Sequence, residues 1–546
     1  MASYEDLRSA IAKTALVREK DGAIIIGNEN TGNRESWLFD FRALMLQPKW
    51  IDRYAEVFWE HYEDQLPFQV GGMETAGIPL VTAIIMKGVE RGTPVNGFFI
   101  RKSRKRQGLL KAVEGTLTDE KIILVDDLIN SGQTLNRQID VLRDLDKTVS
   151  DIFVMLAFRT DEAYAHFGEH GVRVRHLFTL KDFGIPLLRP RGPEIQQETF
   201  DVVWHYKGPA PSFHVVTHKS GPTLDGGRVY VGHDDGTMRA LDSETGSVVW
   251  EFTVRGFPGG KAILSTPRVH DGVVYFGAYD GNVYALQATT GEKIWEYGDA
   301  DWIGSSPDIS IQDGLLFIGL EFGLFKRSGG IAALDLKTGI PKWTAYHTNM
   351  THASPLYIQQ ESMVVIGSNE GVLYAYDAPS GQLRWRYATG GDIKMSAAYA
   401  PRQRAVLFGS MDGKMYAVSA QDGTPLYAKE ADAGIYSTPL VYNNAAYFAS
   451  LDKKLYAVEL GTWKERFVFT TNGRIFSSPV VAENSVWIGS NDGRLCEVDP
   501  ETGVLKSFFQ ASERVLSKLA YDAAKKRFYI ITVANQVYCL ARKTTQ

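Results

Sequence analysis

Ile122-Ile-Leu-Val-Asp-Asp-Leu-Ile-Asn-Ser-Gly-Gln-Thr134 is an apolar run that ends in two adjacent carboxylates and a small polar turn. Its apolar residues are β-branched or leucine, the pattern of a strand buried on both faces of a parallel sheet. Asp126 and Asp127 then fall at the strand's carboxyl end, where open α/β sheets place their ligands. The turn 130–134 offers successive backbone N–H groups and two hydroxyls. Leu135, Ile139 and Leu142 follow at helical spacing. Amides gathered at a helix N-terminus bind phosphate. Carboxylates for sugar hydroxyls beside a phosphate cradle imply a sugar phosphate ligand. The plainer alternative is an ordinary strand–helix unit with two acids near the helix start.

Three more segments occur in an order that supports the first reading. Val70-Gly-Gly-Met-Glu-Thr-Ala-Gly-Ile-Pro79 looks like a strand turning sharply into a helix, with glycines that let backbone approach a ligand closely. Phe98-Phe-Ile-Arg-Lys-Ser-Arg-Lys-Arg-Gln-Gly108 is a strongly basic loop, and Asn30-Thr-Gly-Asn-Arg-Glu-Ser-Trp-Leu-Phe-Asp40 is a polar segment closed by aromatics. The basic loop alone would also suit a solvated or nucleic-acid-facing patch. Taken together, residues 1–184 resemble the type I phosphoribosyltransferases, and within them the orotate type, through the phosphoribosyl pyrophosphate (PRPP) signature at 122–134.

The resemblance implies an α/β domain with a mainly parallel sheet that binds PRPP, Mg²⁺ and a nitrogenous base. It makes Lys105, Asp126 and Asp127 catalytic, with Mg²⁺ held through PRPP and by the two aspartates. PRPP contacts fall on Glu74, Thr75, Ala76, Gly77, Arg101, Lys102, Asn130, Ser131, Gly132, Gln133 and Thr134, and base contacts on Asn30, Phe39 and Arg159. Relatives of this type are dimers, so a homodimer through this domain is expected. The chain departs from the family on the base side. Asn30 and Ala76 stand where relatives have lysines, Gln107 replaces a histidine, and Phe158 replaces an acid before Arg159. The PRPP half is kept while the acceptor base stays open.

From about residue 220 the sequence repeats itself. Each unit has a Ser-Pro or Ser-Thr-Pro strand, an apolar strand, Gly-x-x-Asp-Gly, a strand ending Ala-Leu-Asp, and Thr-Gly-x-x-x-Trp. The anchors Ser220, Ser265, Ser306, Ser354, Ser396, Ser437, Ser478 and Ser517 are spaced by 39 to 48 residues, against the roughly 40–50 of a four-stranded propeller blade. Eight anchors give eight blades. The aromatics Trp250, Trp295, Trp343, Trp385, Tyr427, Phe467 and Phe508 are expected between adjacent blades. The last unit lacks an outer strand, and Phe200-Asp-Val-Val-Trp204 precedes the first. Residues 199–206 are therefore expected to complete the eighth blade and close the ring. Lys261, Trp302, His352, Lys394, Arg474 and Arg514 precede anchors and read as rim residues, or as a funnel for an anion.

The repeats resemble the pyrroloquinoline quinone (PQQ)-type propellers through their Asp-x-x-Thr-Gly-x-x-x-Trp core. The quinone enzymes of that type commonly carry a vicinal disulfide. Here Cys496 and Cys539 are the only cysteines and sit one position out of phase in their repeats, which argues against a disulfide and against bound PQQ. Two thiols in 546 residues suit a reducing compartment. With no signal-like start and no membrane-length apolar run, a cytoplasmic protein is expected. The net charge of −5 excludes a general nucleic-acid binder.

The domains are then 1–184, a Pro-rich linker at 185–198, and a propeller at 199–546. Two functions follow. One is a PRPP-dependent transferase whose propeller serves recognition or assembly. The other is a PRPP or nucleotide sensor, altered in catalysis, whose propeller binds a protein partner, as would suit a stress-response or phage-defence setting.

Overall fold

The computed structural model describes residues 2–18, 37–101, 113–130, 132–169, 171–187, 199–209, 220–255, 262–324 and 327–543. Asn30, Lys102, Lys105, Gln107, Ser131, Lys261 and the linker from 188 to 198 lie outside the described residues, as does the side chain of Gln133. The chain divides into two compact units, residues 1–197 and 198–546.

The first unit opens with α1 (Ala2–Ala10), a small ribbon of β1 (Leu16–Arg18) and β2 (Trp37–Phe39), α2 (Arg42–Met45) and α3 (Pro48–Tyr62). There follow β3 (Phe68–Met73), α4 (Gly77–Glu90), β4 (Asn96–Ile100), β5 (Val113–Gly115), β6 (Lys121–Ile129), α5 (Gln133–Asp144), β7 (Val149–Ala157), α6 (Ala165–Glu169) and β8 (Arg173–Thr179). The sheet order is β5-β4-β3-β6-β7-β8, parallel except for β5.

The apolar run in β6 is what two-sided burial requires. Ile123 and Val125 pack with α3 and α4, while Ile122 and Leu124 pack with Leu135, Ile139 and Leu142 of α5. All four strand residues are fully buried, each contributing about 2 kcal/mol. On the first face α3 lays down an aromatic layer. Phe58 lies 5.4 Å from Phe153, and the buried Trp59 indole donates to the Ile84 carbonyl at 3.0 Å.

The second unit is eight four-stranded antiparallel sheets, an eight-bladed all-β propeller. The strand Phe200–Tyr206, β9, pairs antiparallel with Val537–Arg542 and completes the eighth blade, as the incomplete last repeat requires. Trp204, Trp250, Trp295, Trp343 and Trp385 each donate an indole N–H to a carbonyl of the next blade, those of Ser243, Ala288, Leu336, Ala378 and Ala420, at 2.9–3.3 Å. Under each ring lies a Thr/Ser/Asp-Gly turn glycine, Gly246, Gly291, Gly339, Gly381 or Gly423. Each has φ of +70 to +76°, and a Cβ there would come within 2.5–2.8 Å of the indole. Glycine is thus demanded twice, by backbone and by space.

Phe508 packs between adjacent blades as expected, but on the opposite face of its sheet from the docking tryptophans. In the second blade the docking pair is Ala285↔Trp295, and in the seventh the matching pair is Glu497↔Ser507, with Phe508 opposite Cys496. Period-2 side-chain alternation therefore turns Phe508 to the other face, where it packs between the sixth and seventh blades beneath the Arg494 guanidinium. At the seventh–eighth junction a polar cluster stands instead. Burial alone would push the Glu497 carboxyl up, but Ser507, Ser485 and Arg542 hold it below its ordinary range. Arg542 also covers Phe200 and Trp487. Cys496 faces the preceding blade and Cys539 the following one, both as buried free thiols.

The serine anchors fall into two registers. Ser220, Ser437 and Ser477 accept the N–H of a second-strand residue, from Gly232, Ala449 and Gly489 respectively. The next position, as in Ser306, Ser354 and Ser478, accepts an N–H from the neighbouring blade. Adjacent serines in Ser-Ser-Pro made the two indistinguishable by spacing. Of the rim residues, His352 lies 3.3 Å from the Glu321 carboxylate and Lys394 pairs with Asp392 at 2.8 Å.

His347 gives a pH prediction. Its nitrogens lie 2.7 Å from the Thr351 hydroxyl and 2.9 Å from the Tyr376 hydroxyl, and Tyr374 stacks at 4.2 Å. Burial lowers its pKa from 6.5 to about 4. Between those values the unfolded chain binds a proton that the folded chain does not. This contribution is therefore complete above pH 6.5 and is lost as pH falls toward 4, by about 3 kcal/mol. Urea unfolding at a series of pH values should show that slope, and His347→Gln should flatten it. An equal slope in the variant would contradict the assignment.

Candidate functional site

The carboxyl ends of β3 and β6 and the loops that leave them enclose a cavity of about 350 Å³. Glu74, Thr75 and Ala76 line one side. Asp126, Asp127, Asn130, Gly132 and Thr134 line the other. Sequence-predicted residues from two segments fifty positions apart are thus brought together. Gly77 begins α4 behind the first loop, and the Glu74–Thr75 peptide is cis.

The two aspartates are not equivalent. Asp126 is 9% exposed, and its Oδ1 accepts the Asp127 N–H at 3.0 Å. Burial raises the Asp127 carboxyl above its usual range, against hydrogen bonds to Asp126 and to backbone amides that pull it down. A desolvated carboxylate of this kind is stabilised by a cation or by hydroxyl donors. Two sugar hydroxyls, or a metal ion carried by a diphosphate, would supply either. Among the described residues no three His, Cys, Asp or Glu side chains cluster as a metal site.

The loop between β6 and α5 is held from behind at Gly132 and Asn130. Gly132 adopts φ +78° just before α5, and a Cβ there would lie 2.8 Å from the Phe167 ring. The Tyr164 hydroxyl donates to the Ile129 carbonyl at 3.0 Å and accepts the Arg159 N–H at 3.1 Å. Arg159 Nε in turn donates to Asn130 Oδ1 at 3.1 Å. Arg159 and the loop that leaves β6 at Asn130 are therefore mechanically joined, a link that no spacing in the sequence signals.

Arg101 donates to Glu114 at 3.1 Å, and its guanidinium lies 3.7 Å from Glu74. Phe39 lies apart from the cavity, buried among Phe41, Phe158 and Phe183. Two neighbours were not anticipated. Tyr54 of α3 is buried near the aspartates, and its hydroxyl has no hydrogen-bond partner among the described residues. Burial, then Asp126, Tyr62 and Asp127, push its pKa well up. Arg42, exposed and paired with Asp40 at 2.8 Å, feels the charge of Asp127. Tyr54 shares the helical period of the core aromatics Phe58 and Tyr62, so spacing alone marks it as packing.

Comparison with known proteins agrees with both units. The chain is 28% identical over 158 residues to the orotate phosphoribosyltransferase of Bradyrhizobium sp. strain BTAi1, spanning 28% of this chain and 85% of that protein. The match to the orotate phosphoribosyltransferase of Rhodopirellula baltica is 26% over 162 residues, 28% of this chain and 83% of that one. Among solved structures, BamB from Moraxella catarrhalis superimposes with TM-score 0.51 at 18% identity, covering 64% of this chain and 99% of its own. Quinohemoprotein alcohol dehydrogenase from Comamonas testosteroni gives 0.51 at 15%, covering 64% and 78%. At such identities these structures share the fold alone. The family model described as outer membrane protein assembly factor BamB matches residues 194–363, 327–396 and 369–510. The chain joins an orotate phosphoribosyltransferase-like α/β domain to an eight-bladed PQQ-like propeller, and through residues 194–510 it belongs to the BamB family.

Proposed function

We propose that the N-terminal domain transfers phosphoribose from PRPP to a nitrogenous base and releases pyrophosphate. One observation carries this reading: Asp126 and Asp127 face a cavity whose other wall is the Glu74–Ala76 loop, with the start of α5 at its edge. In the reaction the bond from C1 to the diphosphate oxygen breaks, a ring nitrogen bonds to C1, and that nitrogen's proton is released. Asp126 and Asp127 orient the ribose hydroxyls. The amides of residues 130–134 hold the 5′-phosphate. Glu74, Thr75, Ala76 and Gly77 surround the diphosphate, and Arg101, Lys102 and Lys105 meet its charge, Lys105 as it departs. Mg²⁺, held by Asp126 and Asp127 with the substrate, would neutralise diphosphate charge. Arg159 and, from its place in the sequence, Asn30 serve the base, while Phe39 packs in the core apart from the cavity.

The domain dimerises as its relatives do, and the propeller acts as a recognition or assembly module without a quinone. The buried free thiols suit a cytoplasmic setting. Among the described residues no helix is long and apolar enough to cross a membrane. A sensor that holds PRPP without turning it over is the second reading, favoured by Ala76 lining the cavity where some relatives carry a lysine.

The test is pyrophosphate release from PRPP and Mg²⁺ with a panel of bases. Base-dependent release that drops about 10²–10³-fold in Lys105→Ala is expected. PRPP binding without release on any base would select the sensor.

A further inference from the structure

Around the propeller axis, the position two residues before each blade's first strand is Gly221, Thr266, Ser306, Ser354, Ser396, Thr438, Ser478 and Lys518. Six of the eight are hydroxyl residues. They wall a cavity of about 310 Å³ whose floor includes Met395, Phe476 and Leu516 and whose edge carries Arg268 and Asp308. The hydrogen bonding around it is directional. Gly221 N–H donates to Thr266 Oγ1 at 2.9 Å, Thr266 N–H to Ser306 Oγ at 2.9 Å, and Ser306 N–H to Ser354 Oγ at 2.8 Å. Thr438 N–H likewise donates to Ser478 Oγ at 2.9 Å.

Each of these four hydroxyls accepts a backbone amide, so its own proton is left to donate. Among the described residues none of the four donates to a protein acceptor. A ring of such protons is a cradle for an acceptor-rich group.

Lys518 breaks the ring and supplies charge. Its side chain is exposed to the cavity yet closely surrounded by protein. Burial therefore lowers the lysine's pKa, Arg268 adds to the effect, and Asp308 opposes it. No carboxylate lies within ion-pair distance of Lys518 among the described residues. Beside it, Gly221 is the one ring position without a side chain, and a Cβ there would meet Lys518 Cγ at 3.2 Å. The missing side chain is matched to the lysine's path. Asp308 is already engaged. It accepts the Tyr357 N–H at 2.8 Å and the Ile309 N–H at 3.0 Å, and lies 3.8 Å from Arg268. Lys518 and Arg268 against Asp308 leave the cavity with one net positive charge.

We infer that the axial cavity of the propeller binds a phosphate group, free or as the ester of a small metabolite, between Lys518 and the hydroxyl ring. A tetrahedral oxyanion can accept from donors around a ring in a way that a planar carboxylate cannot, and ion–hydroxyl bonds are among the stronger hydrogen bonds. The volume admits a sugar phosphate.

Calorimetric titration of the full chain with glucose 6-phosphate, inorganic phosphate and glucose tests this. Saturable binding of either phosphate probe is expected, and which one binds identifies the source. That binding should weaken at least about tenfold in Lys518→Ser, which completes the ring with the residue its neighbours use. It should persist in Asp127→Asn, which alters the other domain. Absence of saturation below about 10 mM for both phosphate probes would overturn the inference. So would binding unchanged in Lys518→Ser, binding lost in Asp127→Asn, or glucose binding as tightly as its phosphate. A thermal melt of Lys518→Ser that matches the parent protein separates lost binding from lost folding.

Discussion

Asp127→Asn is expected to reduce base-dependent pyrophosphate release by about 10²–10³-fold in kcat/KM, with the melting temperature little changed. The substitution is nearly isosteric and removes a charge that burial already makes costly to keep. The folded protein therefore loses little when that charge goes. On the proposed function, catalysis would lose the acceptor that orients the ribose hydroxyls and would help to hold Mg²⁺. Asp126→Asn should be milder in its local structural effect, because the amide oxygen can still accept the Asp127 N–H now held at 3.0 Å. Steady-state release assays on the two variants decide the matter. Asp127→Asn within about threefold of the parent would mean that this carboxylate is not used in the reaction.

Trp204→Ala should be the most damaging single change in the propeller, at about 3–5 kcal/mol. That is a large part of what a domain has to lose. Trp204 is 8% exposed on the strand that closes the ring, opposite Cys539. Its ring covers Gly246 and its N–H satisfies the Ser243 carbonyl at 3.0 Å. Removing it opens a cavity between the eighth and first blades, at the one joint where the chain's distant segments meet. Phe508→Ala serves as the comparison, since Phe508 stands outside the docking register and should cost roughly half as much or less. Urea unfolding followed by tryptophan fluorescence and by circular dichroism would compare them. Equal costs would show that the docking register carries no special stability.

One wall of the α/β cavity could be read in the sequence because its parts are contiguous. A two-sided apolar strand, two acids and a glycine-bearing turn occupy thirteen residues, and backbone geometry alone puts them at the sheet's carboxyl edge. The blade count was legible for a similar reason, since Asp-Gly and Thr-Gly turns recur with each tryptophan.

What stayed hidden depends on register or on distant packing. Phe508 is the aromatic that ends its repeat, and only the pairing of Ser507 with Glu497 and of Phe508 with Cys496 shows which face it takes. Tyr54 follows the core period of α3, yet comes close enough to sense both aspartates. Lys518 sits where other repeats have serine or threonine, and its meaning depends on Gly221, which is almost 300 positions away in the chain but adjacent in the ring.

The most direct test of the account is equilibrium titration of the full chain with PRPP in the presence of Mg²⁺. Saturable binding at a site that Asp127→Asn weakens strongly and Lys518→Ser leaves intact is the predicted result. Failure of PRPP to saturate the protein, or affinity that Asp127→Asn leaves untouched, would contradict the assignment of the β3–β6 cavity as a PRPP site.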